Sequence, residues 1–360
     1  MRLAVTVAAC MLSSCVYYVY PTVENHVALT SDEQVLQMAH DELAKFSPQI
    51  SYKWSGAGDV YKRAMAVADQ LLREGNVVSF SVSTHGHEVT LVPTYADNVY
   101  LLRAHRDPAW RSTLSARQQQ ALAVAEQAVQ QAQASAGSQY EVALALHDFL
   151  VEHSTYEREL QGRDTANAAT RLLLSGRGVC DAYTRAYQLM LSIAGIENMF
   201  VAGVAQKDNH CWNLARLDGR WVHIDCTYSD PMPDEPGRVY HTHFALTDSL
   251  IARDHTWNRA NYPAATAIDL YYPVRYAAFA NIDNFVLWCS ENRRQHVTAY
   301  IEELRQMGRN YAEVQQRIER MHAHLGRHVI VNFAIDEHLP GVIVCKCNTH
   351  DSRNRIGFPL

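Results

Sequence analysis

Between residues 31 and 93 the spacing of apolar positions changes several times. Val35, Met38, Ala39, Leu43 and Phe46 recur at helical intervals, so the stretch from Ser31 to Phe46 reads as a helix. Pro48 bars its continuation, and Ile50–Trp54 reads as extended. Asp59 is placed to cap a second helix that runs to Leu72 and stops at Gly75. Val77–Ser83 and Glu88–Pro93 then alternate apolar and polar residues around His85-Gly86-His87, as a hairpin does. The same order returns near the C-terminus. A helix capped by Asp283 reaches about Arg294, Val297–Ile301 is extended, and Gly326 stops a helix over Tyr311–Leu325. Val329–Ile335 and Val342–Cys347 then pair through Asp336–Gly341. Two αβαββ modules, residues 24–105 and 270–360, are therefore expected to flank the middle of the chain, and their shared order suggests related repeats.

Residues 110–265 pattern differently. Ser115-Ala116-Arg117-Gln118 is a capping box opening an Ala/Gln-rich helix that Gly137 closes. Ser138-Gln139-Tyr140-Glu141 opens another, with Val142, Leu146, Phe149 and Leu150 on one face. Gly176 and Gly178 break a further helix. A new one begins at Cys180, with Tyr183, Tyr187, Met190, Leu191 and Ala194 on one stripe and Gly195 at its end.

Composition narrows the class. The chain has 360 residues, 48% of them apolar and 19% charged, which is globular material for about two domains. Its net charge of −6 provides no positive field for nucleic acid, which is excluded as a partner. The apolar run Leu3–Leu12 covers about half of the ~20 residues that a spanning helix needs. It fits the apolar part of a signal peptide over residues 1–14, with Arg2 before it and Ser13-Ser14 after it. The tetrad Leu12-Ser13-Ser14-Cys15 resembles a bacterial lipoprotein signal, which implies cleavage before Cys15 and lipidation of it. Acyl chains on Cys15 would tether the protein to a cell-envelope membrane without a spanning helix.

The chemistry concentrates in residues 175–230. A cysteine in the first turn of a helix meets unpaired N–H groups and the positive end of the helix dipole, which favour thiolate. Cys180 has that position, although a buried, inert thiol is the commoner fate of a cysteine. Asp218-Gly219 is a two-residue turn between alternating runs. The register it sets puts His210, Trp212, Leu214, Trp221, His223 and Asp225 on one face, with His210 and Asp225 as diagonal neighbours. An imidazole, a carboxylate and a helix-tip thiol are the parts of a cysteine nucleophile. The same register sets Cys211 opposite Cys226 on the other face, as reduced core thiols or as a strained cross-strand disulfide.

Three segments carry a family resemblance: Gly178-Val179-Cys180-Asp181-Ala182-Tyr183, His210-Cys211-Trp212-Asn213 and Trp221-Val222-His223-Ile224-Asp225. They resemble the core of the transglutaminase-like superfamily. The flanks agree: Leu146-His147-Asp148-Phe149-Leu150 with Thr155-Tyr156 before the site, and Phe244-Ala245-Leu246-Thr247-Asp248 with His255 and Trp257 after it. The resemblance covers about residues 140–260 and leaves the outer modules aside. It implies an α+β, papain-like core with the cysteine helix packed on an antiparallel sheet. It also implies Cys180 as nucleophile, His210 as base and acid, and Asp225 as the group orienting the imidazole. Trp212 and Tyr183 are candidates for contact with substrate.

The implied reaction is acyl transfer from a peptide or protein amide through a thioester on Cys180, with hydrolysis as the leading outcome. Cross-linking and a non-catalytic envelope scaffold are the competing readings. No cofactor is expected. The pairs His85/His87, His241/His243 and His322/His324 each lack a third ligand placed by sequence. No C-x-x-C occurs among Cys180, Cys211, Cys226, Cys289, Cys345 and Cys347, so no metal site is expected.

Overall fold

The N-terminal helices start where short polar side chains satisfy their first amides. Ser31 accepts from the Gln34 N–H ahead of helix Asp32–Ala44, and Asp59 accepts from the Lys62 N–H ahead of helix Val60–Leu72. Both pack on a five-stranded sheet ordered Val5–Ala8, Val77–His85, Glu88–Tyr95, Ile50–Trp54, Ala28–Leu29. Val35, Ala39, Ala64, Val67 and Leu71 meet Ile50, Tyr52, Phe80 and Leu91 in its core. This computed structural model describes residues 5–8, 27–162, 165–230, 232–234, 238–291, 296–308, 310–336 and 339–347. Cys15 and the proposed cleavage site lie outside the described residues. Val5–Ala8, within the apolar run Leu3–Leu12, pairs antiparallel with the edge of Val77–His85.

At the other end, a four-stranded sheet runs Ala278–Phe279, His296–Ile301, Val342–Cys347, Ile330–Ile335. Helices Ile282–Glu291 and Tyr311–Leu325 pack together beside it over Phe285, Val286, Val314 and Ile318. The expected cap at Asp283 is replaced: Asn281 Oδ1 accepts from the Asn284 N–H at 2.9 Å. Arg317 claims the Asp283 carboxylate at 3.1 Å, which leaves the cap to the next suitable side chain. The two end sheets share a plan. In each, the last strand is central and antiparallel to both neighbours, and a two-residue strand pairs in parallel on one outer edge.

Between them an antiparallel sheet runs Phe244–Leu246, Arg220–Ile224, Asp208–Leu217, Asn198–Ala205, His255–Trp257. Asp218 and Gly219 take φ of +48° and +83°, the conformation of a tight hairpin turn. Leu217 faces Arg220 and Asn213 faces Ile224 across the pair. Helix Cys180–Ile193 lies against Asp208–Leu217, and helices Ala116–Ser135, Gln139–His153 and Ala168–Ser175 pack around it. It is consequently buried beyond a single apolar stripe, with Thr184, Arg185 and Leu189 enclosed as well.

Polar contacts fix that helix. Asn213 Nδ2 donates to the Thr184 carbonyl at 3.1 Å. Arg185 pairs with Asp181 at 2.7 Å, lies over the Phe200 ring, and donates to the Gly75 carbonyl of the N-terminal module. Gly75 sits at φ +81°, and a Cβ there would lie 2.3 Å from Phe200. Helix Ala168–Ser175 has no cap of its own from Asn167. Asp97, 1% exposed, reaches across to accept from the Ala169 and Thr170 N–H groups.

Replacing Asp97 by Ala leaves those two amides buried and unpaired, which should cost about 1–3 kcal/mol. Urea unfolding of the Asp97→Ala variant should show a lower midpoint with an unchanged slope.

Candidate active site

The approach to Cys180 is set by glycine. Gly176, at φ +67°, ends helix Ala168–Ser175, and a Cβ there would lie 2.5 Å from the His153 carbonyl oxygen. The chain then runs through Gly178, paired with Tyr156 in a short parallel bridge, and places Cys180 as the first residue of its helix. Cys180 is half-buried, and its position sets the sulfur at a helix N-terminus.

His210 reaches the sulfur from strand Asp208–Leu217. Its Nε2 lies 2.6 Å from Asp225 Oδ2, which leaves Nδ1 for the hydrogen bond with Cys180. Asp225 is 1% exposed and fully engaged. Oδ1 accepts from the Thr227 and Tyr228 N–H groups, and Oδ2 accepts from both His210 and His255. His255 continues through Asp254, 2.5 Å away, to His243 at 3.0 Å from the same carboxyl group. Tyr228 packs on all three imidazoles, with ring centroids 4.8 to 5.2 Å apart.

These contacts set the charges. Hydrogen bonding from the Cys211 thiol, followed by the hydrogen bond and charge of His210, lowers the Cys180 pKa to about 5 against the opposing effect of burial. Burial opposes the His210 imidazolium, but the Asp225 charge and hydrogen bond, with Cys180, raise its pKa to about 10. Burial also opposes the Asp225 carboxylate, yet His210 and His255 hold it far below the usual range. Between about pH 5 and pH 10 the site is a thiolate–imidazolium pair. Below that window the sulfur is protonated, and above it the imidazole loses the proton it would deliver.

Cys211 is therefore part of the site. Its thiol donates to Cys180, and the Thr184 hydroxyl bridges the Cys180 and Cys211 carbonyl oxygens at 2.8 and 3.0 Å. Cys226 does not oppose it. The strand ends at Ile224, where Asp225 turns its carboxylate to cap helix Cys226–Ser229, so the hairpin register stops two residues short of the predicted pair. Both sulfurs are free thiols, and Cys226 is enclosed in the helical core.

Neither aromatic expected at the substrate surface lies there. Tyr183 is 0% exposed, with its hydroxyl on Asp230, and Trp212 is 1% exposed, stacked behind His210. Trp212 Nε1 donates to His223 Nδ1, so the His223 proton is on Nε2, facing Asp248 at 2.9 Å. His223 is thus a structural imidazole. Tyr156 and Tyr228, both half-buried, are better placed. Burial, and then the Cys180 charge beside it, hold the Tyr156 phenol above its ordinary pKa.

The paired histidines separate. His241 bonds to Asp148 and His243 to Asp254, while His322 contacts His328 and the Ile330 amide. His85 and His87 lie exposed at a hairpin tip. Three His/Asp groups bring possible metal ligands within 4.8 Å of one another: His210/Asp225/His255, His243/Asp254/His255 and His147/Asp148/His241. In each, the imidazoles are already hydrogen-bonded to the carboxylates.

Residues 126–226, which hold Cys180, His210 and Asp225, match the family described as the transglutaminase-like superfamily. This segment belongs to the transglutaminase-like superfamily. Among curated proteins no match was found. A crystal structure described as "a TGase" is 16% identical over 50% of this chain and 50% of that one, with a TM-score of 0.28. The periplasmic domain of TgpA from Pseudomonas aeruginosa is 19% identical over 39% of this chain and 53% of that one, with a TM-score of 0.27. The match to the first spans half of that chain's length, and family membership rests on residues 126–226. The transglutaminase-like core is thus an α+β thiol-enzyme fold.

Replacing Cys211 by Ala removes one hydrogen bond to a thiolate, worth about 1.5–3 kcal/mol, or roughly one to two pKa units. The pH at which iodoacetamide alkylation of Cys180 reaches half its plateau should rise by that amount in the Cys211→Ala variant. An unmoved midpoint would remove Cys211 from the site.

Proposed function

We propose that the protein is a membrane-tethered thiol enzyme that hydrolyses peptide or glutamine side-chain amides through a thioester on Cys180. The observation carrying this reading is the sulfur of half-buried Cys180, held as thiolate between the Cys211 thiol and an imidazolium backed by Asp225. The sulfur attacks the amide carbonyl carbon, and the C=O π electrons move onto oxygen. The backbone N–H at the start of the Cys180 helix faces that oxyanion, and one such donor is worth about 2.7–4 kcal/mol. As the oxyanion re-forms its C=O bond, the C–N bond breaks and His210 Nδ1–H protonates the departing amine or ammonia. The thioester remains. Neutral His210 then takes a proton from water as the water oxygen attacks, and collapse releases the carboxylic acid and restores the thiolate.

The tether is the second part of the proposal. Leu12-Ser13-Ser14-Cys15 supports processing as an envelope lipoprotein, with acyl groups on Cys15 holding the enzyme at a membrane surface. Among the described residues no helix is long and apolar enough to cross a membrane.

Incubation with a glutamine peptide should release ammonia at a rate unaffected by added primary amine, and Cys180→Ala should abolish the release. Incorporation of the amine would instead assign cross-linking, and no turnover of any amide would assign a binding role. In cells, Cys15→Ala should move the protein from the membrane fraction to the soluble fraction; an unchanged distribution refutes the anchor.

A further inference from the structure

The C-terminal module holds three thiols that the chemistry at Cys180 does not use. Cys345 and Cys347 alternate on strand Val342–Cys347, so both side chains leave the same face. Cys289 comes from the buried side of helix Ile282–Glu291. The three sulfurs lie within 4.8 Å of one another, with Cys345 and Cys347 at 3.6 Å. Their residues are 4%, 1% and 3% exposed, in a core shared with Phe285, Val286, Val297 and Ile330.

We propose that Cys289, Cys345 and Cys347 form a three-sulfur binding site for a soft, thiophilic monovalent cation, with Cu(I) as its representative. The donor set selects the ion. Among the described residues no histidine, carboxylate or fourth cysteine joins this group. Structural zinc takes four ligands in a tetrahedron, and the enclosure of the three residues leaves little room for water to complete it. Hard cations prefer oxygen, whereas purely thiolate sites suit Cu(I).

The apolar surroundings also speak to the form of the ligands. Three thiols enclosed among apolar side chains keep their protons while no ion is bound. As the ion enters, each sulfur that becomes a ligand loses its proton to solvent and forms a Cu–S bond. The metal stays at +1 and no sulfur is oxidised. The ion would clip a helix to a strand 56 to 58 residues away, favouring the folded module over the unfolded one by mass action.

The test uses the full chain with Cys180→Ala, so that the Cys180–Cys211 thiol pair does not compete. Reduced protein would be titrated anaerobically with Cu(I) held by bicinchoninate. We expect one ion withdrawn from the chelator per chain, a rise in thermal midpoint, and at least a tenfold loss of affinity on adding Cys345→Ala. No withdrawal, or equal withdrawal by the Cys345→Ala protein, overturns the site. Should that variant fail to fold, X-ray absorption at the copper edge of the Cys180→Ala protein decides. Three sulfur neighbours support the proposal; two sulfurs, or any nitrogen or oxygen ligand, defeat it.

Discussion

A carboxylate taken out of water must have its lone pairs filled by hydrogen-bond donors, or it surrenders its charge. Asp225 meets that condition from two directions, and much of the site's geometry follows. One oxygen is occupied by the opening amides of helix Cys226–Ser229, so strand Arg220–Ile224 has to end where it does. The other oxygen gathers His210 and His255, which fixes the ring facing Cys180. The carboxylate's charge then supports the imidazolium, and the imidazolium supports the thiolate. Each step depends on the one before, and all of them depend on an anion that solvent does not reach.

The Cys180 sulfur has a second support that is independent of these linked charges. The Cys211 thiol approaches from the face of the strand turned toward the helix, while His210 comes from the neighbouring position. Alternation along a strand sends adjacent side chains to opposite faces, yet both can reach a sulfur lying near the strand's end. The helix tip is therefore held between an acid on one side and a weak S–H donor on the other.

Local chemistry explains what was legible in the sequence. The Ser31, Asp59, Ser115 and Ser138 caps, the Asp218-Gly219 turn and the glycine break before Cys180 each depend on a few neighbouring residues. Features decided by distant partners were not legible. Asp283 looked like a cap, but an arginine 34 residues away takes its carboxylate. Tyr183 and Trp212 sit within the family motifs and read as surface aromatics, although Asp230 and His223 engage them from inside. The alternation that placed His210 and Asp225 on one face did not show that capping the next helix would end the strand between them and Cys226. Cys345-Lys346-Cys347 has no metal-binding spacing of its own, because its third sulfur comes from a helix.

The Arg185 guanidinium gives the N-terminal module a stake in the core. It is enclosed on helix Cys180–Ile193, and one of its acceptors is a backbone carbonyl contributed from outside residues 126–226, at Gly75. Cutting the chain down to the family segment would strand a permanent cation with an acceptor missing and uncover the Phe200 face on which Gly75 rests. The smallest piece able to keep the thiol in register is therefore larger than the piece that carries the motifs.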